Sequence, residues 1–216
     1  MKSTAPYSET VSLFLAALPD VPLIKPLSCE ARNREIEAIN HPTAKAQKYY
    51  VWRLLELAME QTYGIRADQL DFEKQPSGRW VITGKYSSIH FSLSHCEGAV
   101  AVALSDQSVG VDIEPAERLL KPDLAQKVLT PDEQTTYDAL PAPEQNDYLL
   151  RAWVSKEAIY KRTEQGGFCP REIALCHAVA SLDVRTVSVG DRSFLVALAG
   201  EGVSSDIRVN MIHLNE

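Results

Sequence analysis

Apolar and polar positions follow two periods along this chain. From about Thr43 to Tyr63, Tyr50, Leu54, Leu57 and Ala58 recur three and four apart, which places them on one helical face, and Gly64 follows as a stop. A shorter helix is predicted over residues 28–40, with Ser28 as its cap. The stretch as far as Pro26 is punctuated by Pro6, Pro19 and Pro22 and reads as strand and loop. After Gly64 the period shortens to two. "RWVIT" (Arg79–Thr83) and "HFSLSHC" (His90–Cys96) alternate as half-buried strands do. In the second, Phe91 and Leu93 face one way, and His90, Ser92 and Ser94 the other. "AVAVALS" (Ala99–Ser105) does not alternate and reads as a strand buried on both faces. "VGVDI" follows a short turn at Asp106–Gln107.

The second half repeats the order of helix, then strands. Thr130-Pro131-Asp132-Glu133 carries a capping-box start, and a further helix is predicted from Pro143 to Glu164, ending at Gly166-Gly167. "VRTVSV", "FLVALAG" and "IRVNMIHL" return to strand patterns. "AVAVALSD" and "FLVALAGE" are faintly alike, although two buried strands reach that likeness readily by chance. The fold expected is α+β, with two similar α/β halves (a pseudo-dimer) meeting near residue 105: residues 1–105 and 106–216.

At 216 residues and 45% hydrophobic content, the chain is long enough for one large domain or two small ones. A net charge of -7 and the lack of a basic stripe argue against a nucleic-acid partner. No apolar run approaches the roughly 20 residues of a membrane span, and the apolar patch Val11–Leu18 lacks the flanks of a signal peptide. Cys29, Cys96, Cys169 and Cys176 form no CxxC pair, and Cys169, Cys176 and His177 match no common zinc spacing. They read as free thiols of a reducing, cytoplasmic compartment.

Two stretches carry chemistry. In "SVGVDIEP" (Ser108–Pro115), Asp112 and Glu114 lie two apart on a strand and face together, while Val111 and Ile113 face the core. Adjacent carboxylates repel unless a cation or a proton sits between them. Gly110 serves either a turn or a close approach of backbone to a ligand. In "RAWVSKEAIYK" (Arg151–Lys161), Trp153, Glu157 and Lys161 form one helical stripe with Lys156 beside it. Such a stripe is commonly a solvated Glu–Lys pair over a packing tryptophan. If helix and strand meet, Glu157 instead completes a three-carboxylate set suited to Mg²⁺ beside a phosphate, with Lys161 in reach of that phosphate. His41, His90, His177 and His213 read as structural or surface residues, and Tyr49 and Tyr50 as helix packing.

"VGVDIE" followed some forty residues later by "WVSKEAIYK" resembles the paired signature of 4′-phosphopantetheinyl transferases, and within them the surfactin-synthetase-activator type. "FSLSHC" is similar to a further family segment, Gly78-Arg79 stands at the place of a family turn, with Gly84-Lys85 as a competitor, and Lys48 falls where the family carries a cation. Ser92, Cys96 and Trp80 depart from the family's usual Asn, Ser and Pro, which touches the adenine side of the pocket. The resemblance implies transfer of the phosphopantetheine arm of coenzyme A to a serine of an acyl or peptidyl carrier protein by a monomer, releasing 3′,5′-ADP. It implies Mg²⁺, or Mn²⁺, on Asp112, Glu114 and Glu157, with Glu157 and Lys161 catalytic. It implies coenzyme A contacts from Lys48, Arg79, Ser94, His95, Asp112, Lys156 and Lys161. Arg53, Lys121, Lys127, Arg151 and Lys156 are candidates for carrier docking. A Mg²⁺-dependent hydrolase of coenzyme A-like pyrophosphates and a non-catalytic coenzyme A-binding module are the competing readings.

Overall fold

The computed structural model describes residues 11–163, 167–178, 181–201, 203 and 207–214. Two sheets lie face to face between two long helices. The first sheet holds β1 (Val11–Ala17), β4 (His90–Cys96), β5 (Ala99–Ser105) and β9 (Ile207–Met211), in the order β4-β5-β1-β9. β9 runs parallel to β1, and the other pairs are antiparallel. The second sheet is antiparallel, in the order β6-β8-β7, from β6 (Val109–Pro115), β7 (Leu182–Val189) and β8 (Arg192–Gly200). A hairpin of β2 (Asp71–Lys74) and β3 (Trp80–Thr83) stands beside the first sheet.

Alternation along the strands sets the layers. On β5, Val100, Val102 and Leu104 pack with α2 (Pro42–Tyr63), whereas Ala99, Ala101 and Ala103 meet the second sheet. On β8, Phe194, Val196 and Leu198 face the first sheet, and Leu195, Ala197 and Ala199 pack under α5 (Ala142–Thr163). The order is therefore α2, sheet, sheet, α5. "AVAVALS" is buried along its whole length, as its unbroken apolar run predicts.

The helix ends follow their sequence signals with one exception. α2 begins with the His41 ring accepting from Ala44 N and ends at Gly64 in the left-handed region, φ +67°. α4 (Pro131–Ala139) carries the predicted capping box: Glu133 N–H donates to Thr130 Oγ1 at 3.3 Å, and Thr130 N–H to Glu133 Oε2 at 2.9 Å. In α1 (Glu30–Glu37) the cap position belongs to Cys29 rather than Ser28, whose N–H donates to Glu56 Oε1. α3 (Ala125–Val128) is a single turn. Glu164 and Gly166, predicted at the end of α5, lie outside the described residues. All four cysteines are free.

The two sheets touch at β4 and β6. There the Val111 N–H donates to Ser92 Oγ at 3.0 Å and the Ile113 N–H to Ser94 Oγ at 3.4 Å. Side-chain hydroxyls on one strand thus take the place of a backbone ladder. Among the described residues, no helix is long and apolar enough to cross a membrane.

Candidate functional site

β6 sends Val109, Val111 and Ile113 into the core between the sheets, which leaves Gly110, Asp112 and Glu114 on the opposite face. α5 lies on that face. A Cβ added at Gly110 would stand 1.9 Å from Ala158 O and 2.7 Å from Arg162 N, so Gly110 admits the helix backbone. This is neither of the two uses expected for it, a turn or a ligand contact. With the helix so close, Lys161 Nζ reaches Asp112 Oδ1 at 2.7 Å and lies 3.9 Å from Glu157 Oε2. Helix and strand do meet, and the stripe Trp153–Glu157–Lys161 lines the same cavity as Asp112 and Glu114.

That cavity has a volume of about 490 Å³. Lys48 enters it from α2, Ser94 and His95 from β4, and Arg79 from the turn after Gly78. Gly84-Lys85, the competing turn, does not line it. The Arg79 guanidinium bridges α5 and β4, donating to Lys161 O at 3.0 Å and to Phe91 O at 3.3 Å. Two further cations were not foreseen. Arg118, on the loop after β6, pairs with Glu114. Arg32 of α1 is buried over the Trp52 ring at 5.0 Å and donates to Glu35 and to Lys48 O. Its sequence signal was faint, because an Arg three residues before a Glu on a short helix is an ordinary surface pattern.

The electrostatics are those of a site built for an anion beside a cation. Burial lowers the Lys48 proton affinity, and Arg32 and Lys161 lower it further. Burial, with Lys48, Lys161 and Arg32 behind it, pushes His95 down to about 4, so its imidazole is neutral near pH 7. Burial raises Glu157; Lys161 opposes this, and Asp112 and Glu114 reinforce it. Burial likewise raises Glu114 against the pull of Arg118. Five positive groups, Arg32, Lys48, Arg79, Arg118 and Lys161, crowd here, and their mutual repulsion would be relieved by a phosphate.

Among the described residues, no three His, Cys, Asp or Glu side chains are placed as they stand to hold a metal ion. One observation nevertheless fits a cation beside Asp112. Asp112 is 5% exposed, and its Oδ2 is buried with no hydrogen-bond partner. Such an atom is costly unless something positive or a donor meets it.

Lys156 is not brought to this cavity. It is 0% exposed, and its Nζ donates to Val128 O at 2.8 Å and pairs with Glu133. The residue before Glu157 lies about 100° round the helix from it and so points to α3 and α4. This corrects both roles expected of Lys156, at the phosphates and on a docking surface. Ser92 stands where Asn was expected and serves the seam instead. Trp80 donates its Nε1–H to Glu35 at 3.3 Å, and Trp153 packs its ring on Phe168.

Comparison with known proteins bears on the same residues. Residues 108–191 match the model of the 4′-phosphopantetheinyl transferase superfamily. The chain is 32% identical over 116 residues to the 4′-phosphopantetheinyl transferase psf-1 of Bacillus pumilus, covering 52% of this chain and 48% of that protein. It is 25% identical over 156 residues to a 4′-phosphopantetheinyl transferase of Bacillus subtilis, covering 66% of this chain and 67% of that protein. The match thus spans about half the length of the first relative and about two thirds of the second.

Proposed function

We propose that this chain, whose residues 108–191 match the model of the 4′-phosphopantetheinyl transferase superfamily, transfers the phosphopantetheine arm of coenzyme A to a serine of an acyl or peptidyl carrier protein. One observation carries the reading. Glu157 and Lys161 of α5 and Asp112 and Glu114 of β6 line one cavity, together with Lys48, Arg79 and His95. The names of the relatives support it.

In this reading residues 1–105 and 106–216 are similar halves, each with a 22-residue helix over a sheet, the second half lending β9 to the sheet of the first, and coenzyme A lies between them. Lys48 and Arg79 take its phosphate charge, and the neutral His95 contributes a ring N–H. Asp112, Glu114 and Glu157 hold Mg²⁺, or Mn²⁺, the hard cations that carboxylates favour. The bound ion supplies polarisation of a phosphorus centre and offsets charge on the leaving oxygen. Glu157, whose burial raises its proton affinity, takes the serine proton directly or through a water. The serine oxygen bonds to phosphorus as the bond to 3′,5′-ADP breaks. Lys161 then steadies the charge on the departing oxygen.

The carrier docks beside the cavity on a local basic patch, for which Lys121, Lys127 and Arg151 are exposed and Arg53 is half-exposed. A monomer in the cytoplasm suffices for this chemistry.

The test is to incubate the protein with coenzyme A, Mg²⁺ and a panel of apo carrier proteins, and to weigh the carriers intact. The expected result is a gain of one phosphopantetheine arm on at least one carrier, abolished by EDTA and by Glu157→Gln. Coenzyme A split without carrier modification would replace the transferase by a hydrolase. Tight coenzyme A binding with no turnover on any carrier would leave a binding module.

A further inference from the structure

Ser94 is 4% exposed and sits at the seam of the two sheets. Its hydroxyl has one proton to give and two lone pairs to fill. The proton goes to Asp112 Oδ1 at 2.7 Å. The lone pairs accept from Lys161 Nζ at 3.1 Å and from the Ile113 N–H at 3.4 Å. Nothing is left over for a phosphate oxygen, the contact that resemblance assigns to this residue.

The consequence falls on Asp112. Its Oδ1 receives both the Ser94 hydroxyl and the Lys161 ammonium, each at 2.7 Å. Its Oδ2, buried on the same carboxylate, receives nothing. The carboxylate is held by one oxygen, and the other is buried without a donor, on a residue that lines the cavity. We propose that Ser94 is a positioning residue for Asp112, occupying Oδ1 so that Oδ2 is the oxygen offered to a divalent cation; this rests on the reading of Asp112 as a metal ligand. Loss of a group that orients a metal ligand in this way typically costs about 10- to 100-fold in metal affinity.

The neighbouring serine is an internal control. Ser92 Oγ makes the equivalent seam bond, to the Val111 N–H, and has no bond to Asp112 among those of the described residues. Ser94→Ala and Ser92→Ala therefore each remove one seam bond, and only the first disturbs the carboxylate.

The experiment measures Mn²⁺ binding by the paramagnetic resonance of the free ion, with coenzyme A saturating. It measures coenzyme A binding by calorimetry in EDTA. Ser94→Ala is expected to weaken Mn²⁺ by roughly 10- to 100-fold and to leave coenzyme A affinity in EDTA unchanged. Ser94→Thr restores Mn²⁺ binding, and Ser92→Ala keeps it. Should Ser94→Ala not fold, Ser94→Cys keeps a side-chain donor but a weaker one, and is expected to shift Mn²⁺ binding in the same direction. Unchanged Mn²⁺ affinity with weakened coenzyme A binding would overturn the proposal and return Ser94 to the phosphate. A wild-type protein that binds no coenzyme A would instead overturn the proposed function, and this proposal with it.

Discussion

Gly110→Ala is a one-carbon change with a large consequence. The new Cβ would lie 1.9 Å from Ala158 O, whereas real Cβ contacts do not fall below 3.0 Å. The obstacle is helix backbone, which cannot rotate aside as a side chain would. α5 must therefore retreat by about 1.1 Å, the difference between those two distances. Overpacking of this kind typically costs about 1–3 kcal/mol, and a clash against backbone belongs at the upper end of that range. The retreat also stretches the 2.7 Å contact between Lys161 Nζ and Asp112 Oδ1 out of hydrogen-bond range. A displacement of about 1 Å at a reacting centre is worth about 100-fold in rate. Urea unfolding and carrier-modification turnover read the two effects separately. Gly167→Ala is the control, because among the described residues an added Cβ there meets nothing within 4 Å. If Gly110→Ala kept wild-type stability and turnover, the close packing of α5 on β6 would not be what brings the site together.

Three further outcomes are expected. His95 takes its proton at about 4 in the folded protein, against an ordinary 6.5; between those values only the unfolded chain binds it, so stability falls as pH drops through that window. His95→Gln should flatten that part of the fall, measured by urea unfolding at pH 7 and pH 5. Lys156→Met leaves the half-buried Glu133 opposite no cation and should cost about 1–3 kcal/mol, while Lys156→Met combined with Glu133→Gln recovers part of the loss, and neither shifts coenzyme A affinity in the folded protein. Arg151→Glu should raise the carrier KM and leave the coenzyme A KM unchanged; a change in the coenzyme A constant alone would remove Arg151 from the docking surface.

What the sequence made legible was local. The period of two through β6 placed Asp112 and Glu114 on one face and Val111 and Ile113 on the other. The spacing of four placed Glu157 and Lys161 together on α5. The capping box at Thr130 and the stop at Gly64 are likewise read from neighbours in sequence. What escaped was set by contacts between distant segments. Gly110 shows no need of glycine until α5 is laid across it. Arg32 looks like a surface residue until Trp52 and the Lys48 carbonyl come up beneath it. Lys156 was misplaced by a single position, since one step along a helix turns a side chain by about 100° and here exchanges the cavity for Val128 and Glu133.

The parallel pairing of β9 with β1 has a consequence in time. Residues 207–211 complete a sheet whose other strands come from residues 11–17 and 90–105. During synthesis the first three strands can pair as soon as they have left the ribosome, but β1 then waits with one edge open. An unpaired edge invites pairing with other chains. The closing contact joins Leu15 to Met211, two residues far apart in sequence, and such contacts form slowly. The nascent sheet is therefore most exposed to aggregation just before β9 arrives. A chain terminated ahead of Ile207 would carry the cavity residues already made and the sheet behind them unfinished.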